Sequence, residues 1–232
     1  MNHPVDGKGG FMNKEKVIIF GEGNIQEVAL FYLQRDEKYE VIAFTADMEY
    51  ITGNTYLGLP MVPFGKIERL FSPSEYKMFI PLGYKRNNHL RAEKYYAAKS
   101  KGYGFITYIS PKATYYGTPV GENCFIFENN VIQPFTTIGD DTILWSGNHV
   151  GHHSKIGNHC FLTSHVVVSG VTSVGDYTFI GVNASVGNGI RIAEDNLIGA
   201  GAVITKDTQK GEVYVPQRSI LLDKKSHEIS ID

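Results

Sequence analysis

The chain has 232 residues, is 42% hydrophobic and 12% aromatic, and carries a formal net charge of −2, which is enough apolar material for one large or two small domains with a real core. Lysines and arginines are scattered without a basic block, so there is no electrostatic footprint for a phosphate backbone and nucleic acid is not an expected partner. No stretch approaches eighteen apolar residues and the first residues are polar and Gly-rich, so no membrane insertion or signal peptide is expected and the reading is cytoplasmic.

In chain order, residues 1–13 (MNHPVDGKGGFMN) read as a flexible lead. A domain at 14–110 follows. Its first strand, 16–20 (KVIIF), is the continuous apolar run of a buried parallel strand and leads through Gly21-Glu22-Gly23 into a helix at 25–33. Strand, glycine turn and helix make a phosphate-cradling arrangement or, equally, a structural tight turn; the third glycine of the full dinucleotide fingerprint is absent. A second strand at 39–44 (YEVIAF) ends at Asp47, about where dinucleotide folds keep an acid for a ribose or base edge. The stretch 53–60 (GNTYLGLP) reads as loop, 64–70 as a short helix, 77–82 (KMFIPL) as a third strand, and 89–101 as a helix with Arg91 on its first turn. Gly21, Gly23, Asn24, Asp47 and Lys85 are the expected ligand contacts at that sheet edge, with Arg86 and Arg91 as further candidates for a diphosphate.

A strand at 105–109 leads out, and from 111 to 210 the pattern changes. Over 120–204 an aliphatic residue occupies every sixth position without a slip, from Val120, Ile126 and Ile132 through Ile192, Ile198 and Ile204. A period of six fits neither an amphipathic helix nor a meander of alternating strands; it is the mark of a parallel β-helix in which three hexapeptides close one triangular coil. Residues eighteen apart therefore lie above one another, about 4.8 Å per coil. Cys124 and Cys160, two coils apart on one corner, are roughly 9–10 Å apart on this spacing and read as small buried residues instead of a bridge or metal pair. The segment 213–216 (VYVP) is expected to cross back over the last coil, and 211–232 forms a C-terminal segment.

Five of the eight histidines (His149, His152, His153, His159 and His165) fall within seventeen residues, a clustering that folding alone does not require. His152 lies two residues past inward Val150, on the outside of the coil near a corner, and Gly170 stands one coil above it. An imidazole beneath a glycine N–H pairs a proton acceptor with a donor for a developing oxyanion. His153 is the candidate to orient that base, and His165 and His149 are candidate ligand contacts.

Taken together, these residues resemble the hexapeptide-repeat acyltransferases of the sialic-acid O-acetyltransferase type, which include bacterial N-acetyltransferases of nucleotide-linked 4-amino sugars. The likeness runs from Lys16 to about Pro216 and includes Gly58-Leu59-Pro60, the strand ending at Gly83 with an Arg following, and His152-His153-Ser154-Lys155-Ile156-Gly157. It implies a mainly β fold, a left-handed parallel β-helix preceded by a small Rossmann-like α/β domain, and a homotrimer with acetyl-CoA in the groove between adjacent prisms. It also implies His152 as general base, Gly170 on the acetyl group, and contacts to the donor from Gly181, Val182 and Ala200. The implied acceptor is a nucleotide-linked amino sugar for surface glycan synthesis. Alternatives are sugar O-acetylation or a non-catalytic nucleotide-sugar-binding scaffold. The chain departs from the family at His153 (an acid there), Phe161 (His), Trp145 (Asn) and Gly23-Asn24-Ile25 (Gly-Gly-His). Gamma-class carbonic anhydrases share this fold but take one zinc ligand two coils below the others; here those positions are Tyr116 and Gly117, so no metal is expected.

Overall fold

The run Val17-Ile18-Ile19-Phe20 is buried on both faces in the structure, a computed structural model that describes residues 14–217, 219, 221–223, 225 and 228. The expected lead at 1–13 and part of the C-terminal segment lie outside the described residues. Strands β1 (Glu15–Phe20), β2 (Tyr39–Ala46), β3 (Thr55–Tyr56), β4 (Leu59–Pro63) and β5 (Lys77–Phe79) form one sheet in the order β3-β4-β2-β1-β5. All pairs are parallel except β3 with β4. Because side chains alternate across a strand, Val17 and Ile19 face one core with helix α1 (Asn24–Leu33), while Ile18 and Phe20 face a second with Tyr95 and Ala98 of helix α2 (His89–Ser100).

Two departures from the sequence reading have local causes. The stretch 53–60 is not loop but contains β3 and the start of β4, joined by Leu57 (φ 48°) and Gly58 (φ 79°). A two-residue hairpin turn of type I′ needs positive φ at both positions, and Leu in place of Asn or Asp hides it. The third strand stops at Phe79, because the next ladder position is taken by a side chain of the coil: Ile80 N donates to Asn123 Oδ1 (2.8 Å) and Asn123 Nδ2 to Ile80 O (3.4 Å).

The hexapeptides wind as expected. A first face stacks Tyr108–Ile109, Phe125–Ile126, Ile143–Leu144, Phe161–Leu162, Phe179–Ile180, Leu197–Ile198 and Val213–Tyr214. A second stacks six rungs from Thr114–Tyr115 to Val203–Ile204, and a third four from Thr137–Ile138 to Arg191–Ile192. All rungs pair in parallel, at eighteen residues through the body of the coil, as in Ile143↔Phe161 and Val150↔Val168. The inward column, among it Ile126, Leu144, Val150, Leu162, Ile180 and Ile198, is fully buried, and each such side chain contributes about 1.5–3 kcal/mol by leaving water. The segment at 213–216 does not cross back; Val213–Tyr214 pairs in parallel with Leu197–Ile198 and adds a last rung to the first face.

Outward positions show which face is covered. On the first face they are Phe125, Ile143 and Phe161, which share one apolar core with Val17, Ile19, Phe44 and Phe79 of the sheet. On the third they are Thr137, Lys155, Ser173 and Arg191. The five-stranded sheet and its helices therefore pack on the first face.

Candidate active site

Between the second and third faces the chain turns a corner on which Pro134, His152, Gly170 and Asn188 form one column, in the register fixed by Val150↔Val168 and Ile156↔Val174. The His152 amide donates to Gln133 Oε1 (2.8 Å), and its Nδ1 lies 3.1 Å from Nδ1 of His153. The His153 ring packs on Phe135, centroids 4.6 Å apart. A hydrogen bond between two Nδ1 atoms needs one proton; placed on His152, it leaves the Nε2 lone pair of His152 open as an acceptor. A β-carbon on Gly170 would sit 2.9 Å from both Cε1 and Nε2 of His152, so only glycine leaves the imidazole in place. Gly170 O accepts from Gly189 N (3.0 Å), whereas its N–H has no acceptor among the described residues. The His152 imidazole and the Gly170 backbone are therefore neighbours on one corner.

The other residues expected around the donor lie elsewhere on the same prism. Val182 and Ala200 are exposed on the corner between the first and second faces, and Gly181, just before Val182, is buried where a β-carbon would strike the backbone of Ala200. His165 is exposed on that corner too, its ring over Gly147, where a β-carbon would lie 2.6 Å from Nδ1. His149 projects from the second face, half-buried, in the column of Val131, Val167, Ser185 and Val203. The structure thus sets His152, His153 and Gly170 at one edge of the second face and Gly181, Val182, Ala200 and His165 at the other.

Folding does account for part of the histidine cluster. His153 (φ 59°), His159 (φ 57°) and His165 (φ 58°) occupy the left-handed corner position also filled by Asn123, Asn129, Asp141 and Asn183. Asn, Asp and His tolerate that conformation better than most residues, so the expectation that folding does not require the clustering is corrected for these three.

A cleft of about 570 Å³ opens at the carboxyl ends of β1 and β2, and Gly21, Gly23, Asn24, Asp47 and Lys85 all line it. Gly21 (φ 99°) and Gly23 (φ 119°) shape the turn. Buried Gln26 pins it by donating to Phe20 O (3.4 Å) and Pro81 O (3.1 Å), and Tyr56 OH accepts from Gly23 N (2.9 Å). Asp47 pairs with Lys94 (2.8 Å), which also reaches Glu93 (3.3 Å). Burial works against the Lys94 charge, but the two carboxylates outweigh it and raise its pKa. Of the two lysines lining the cleft, only Lys85 is outside an ion pair among the described residues.

Neither arginine is among the residues that line the cleft. Arg91 is fully buried: its Nε lies 3.2 Å from Asp141 Oδ1, its Nη2 donates to the carbonyls of Asp141 and Cys160 (both 3.0 Å), and its Nη1 to Asn88 Oδ1 (3.1 Å). Asp141 Oδ2 in turn meets His159 Nδ1 (2.7 Å), and His159 Nε2 meets Tyr96 OH (2.9 Å). Arg86 pairs with Glu93 (3.0 Å) outside the cleft lining. A lone arginine on a helix carries no sequence mark of burial; its partner, Asp141, lies fifty residues on. Tyr56 and Lys94 were equally unannounced, but Asn188 was within reach of the eighteen-residue arithmetic, one turn above Gly170.

Among the described residues no group of three His, Cys, Asp or Glu side chains is placed to hold a metal ion. Residues 135–170 and 172–206 match the family described as bacterial transferase hexapeptide (six repeats). No curated protein matches the chain. Among solved structures, PerB from Caulobacter crescentus, crystallised with CoA and GDP-perosamine, is 26% identical, with a TM-score of 0.76 over 85% of this chain and 92% of that one. A variant of perosamine N-acetyltransferase from the same organism, also with CoA and GDP-perosamine, is 26% identical with a TM-score of 0.75 over 85% and 90%. The acetyltransferase domain of PglB from Neisseria gonorrhoeae, at 22% identity and a TM-score of 0.74 over 86% and 96%, shares the fold. By its repeat and by an architecture shared along both halves, the chain is similar to hexapeptide-repeat acetyltransferases.

Proposed function

We propose that the chain transfers the acetyl group of acetyl-CoA to the amino group of a nucleotide-linked sugar, a 4-amino sugar of surface glycan synthesis, in the cytoplasm; among the described residues no helix is long and apolar enough to cross a membrane. In this reading the prism (111–210) is a left-handed coil that carries the chemistry and the Rossmann-like domain (14–110) holds the nucleotide through Gly21, Gly23, Asn24, Asp47 and Lys85. The observation that carries it is the His152 ring standing 2.9 Å from where a Gly170 β-carbon would be, beside an amide with no acceptor among the described residues. As the amine attacks the thioester carbonyl, His152 Nε2 takes its proton and the Gly170 N–H faces the oxygen that gains charge. His153, hydrogen-bonded to the base through Nδ1, stands where the resembling family has an acid. The imidazole thus keeps an orienting partner, which favours catalysis over a scaffold role.

Geometry also supports a homotrimer. The His152 corner is opposite the first face, on which the nucleotide domain sits, so the prism stands between base and cleft of one chain. A sugar in that cleft meets an imidazole only from another copy. Exposed Phe135, Val167, Val171 and Val203 on that side of the prism are apolar surface such a copy would cover. The test is release of free thiol from acetyl-CoA with a panel of UDP-, dTDP- and GDP-linked amino sugars, GDP-perosamine among them; turnover with at least one is expected, and none with any of them overturns the reading. Mixing a His152→Ala chain with an Asp47→Ala chain should restore activity that neither has alone.

A further inference from the structure

The column above His152 holds one more group that nothing so far uses. A β-carbon on Gly170, 2.9 Å from His152 Nε2, would also lie 3.3 Å from Oδ1 of Asn188, the exposed residue one coil higher. An imidazole from below and a carboxamide from above therefore border the same gap. Both distances meet at one point, so the two atoms are no more than about 6 Å apart, and two hydrogen bonds of about 3 Å diverging from a tetrahedral nitrogen span about 5 Å. Both atoms are acceptors once His152 Nδ1–H is given to His153.

Resting on the acetyl transfer proposed above, we propose that Asn188 is a catalytic residue that makes the site specific for an amine. A primary amine has two N–H groups, and the gap offers two acceptors. One N–H faces His152 Nε2 and the other Asn188 Oδ1, which turns the nitrogen lone pair toward the thioester. The lone pair forms the N–C bond while the C=O pair moves onto oxygen; the proton facing His152 passes to Nε2. Collapse breaks the C–S bond, and the thiolate leaves with the proton returned by the imidazolium. The amide product keeps a single N–H, still held by Asn188. A hydroxyl has one hydrogen, which His152 takes, and leaves the carboxamide oxygen without a donor.

The experiment compares wild type, Asn188→Ala and Asn188→Asp on the amino sugar that wild type turns over fastest and on its hydroxyl counterpart, with unfolding midpoints measured alongside. Asn188→Ala should lower kcat for the amine by about tenfold or more, leave KM for acetyl-CoA within about threefold, and spare any hydroxyl transfer, shrinking the ratio of amine to hydroxyl turnover. Asn188→Asp, which keeps an acceptor oxygen and loses both donor hydrogens, should retain kcat within about threefold at the plateau of its own pH profile. Unchanged amine turnover in Asn188→Ala, an equal fall for both nucleophiles, or an Asp variant as poor as the Ala variant overturns the assignment. An active wild type silenced by His152→Ala, with Asn188→Ala unaffected, ends the Asn188 role and leaves the acetyl transfer standing, whereas a wild type inactive on every amino sugar ends both.

Discussion

At the scale of single residues, the chemistry depends on atoms that period-six arithmetic locates but cannot orient. The spacing puts Gly170 above His152; only the structure shows the ring so close that a β-carbon on Gly170 would lie 2.9 Å from it. His152→Ala should therefore reduce kcat by a factor of about 10² to 10⁴, the range for a lost general base, with the unfolding midpoint unchanged because the side chain is exposed. Steady-state thiol release checks this, and near-wild-type turnover would remove the base assignment. Arg91 shows the limit of residue-scale reading. A basic residue at the start of a helix beside a cleft looks like an anion ligand, yet its guanidinium is committed to Asp141 and to the Cys160 carbonyl. Sequence carries residue type, whereas burial of a long polar side chain depends on a partner from a distant part of the chain.

At the scale of elements, the coil was the most legible part, because one inward aliphatic per hexapeptide and parallel pairing leave a single register. Corners are less forgiving than the inward column suggests. A β-carbon on Gly175 would lie 2.5 Å from Glu194 N and 2.7 Å from the carbonyl carbon of Ala193, backbone atoms of the next coil, while one on Gly65 meets nothing within 4 Å. Gly175→Ala should cost about 1–3 kcal/mol of stability through forced backbone shifts, with Gly65→Ala as a control of little effect. Denaturant unfolding measures both, and equal midpoints for the two variants would refute the clash. The β3–β4 hairpin escaped notice for the opposite reason. Leu57 adopts φ 48° although nothing in its chemistry advertises a turn, so tertiary context outweighed local preference.

At the scale of the whole molecule, the five-stranded sheet with its helices and the coil share one apolar core and one buried ion pair. Arg91, Asp141 and His159 are all at most 1% exposed, and deleting one partner leaves a buried charge uncompensated. Arg91→Ala should destabilise by about 3–5 kcal/mol, whereas Arg91→Leu combined with Asp141→Asn should recover part of that loss; thermal unfolding of the set decides. Burial also pushes the thiols of Cys124 and Cys160 up to about 12. In the unfolded chain a thiol ionises near 8.5, so above that pH only the unfolded state sheds these protons. Their contribution to stability is complete below about 8.5 and is lost as pH rises toward 12. Alkylation at pH 8 should label neither thiol in the native protein and both after unfolding, and native labelling would show that the prism interior opens. The docking itself was half legible. Phe125, Ile143, Phe161 and Phe179 in the outward column announce a covered side, but not which element covers it.

The upper end of the prism is uneven: the first face finishes at Val213–Tyr214, the second at Val203–Ile204 and the third at Arg191–Ile192. On the third face the chain itself takes the last edge, Thr208 N donating to Arg191 O (3.0 Å) and Ala193 N to Thr208 Oγ1 (2.9 Å), which leaves a second molecule no open ladder to pair with there.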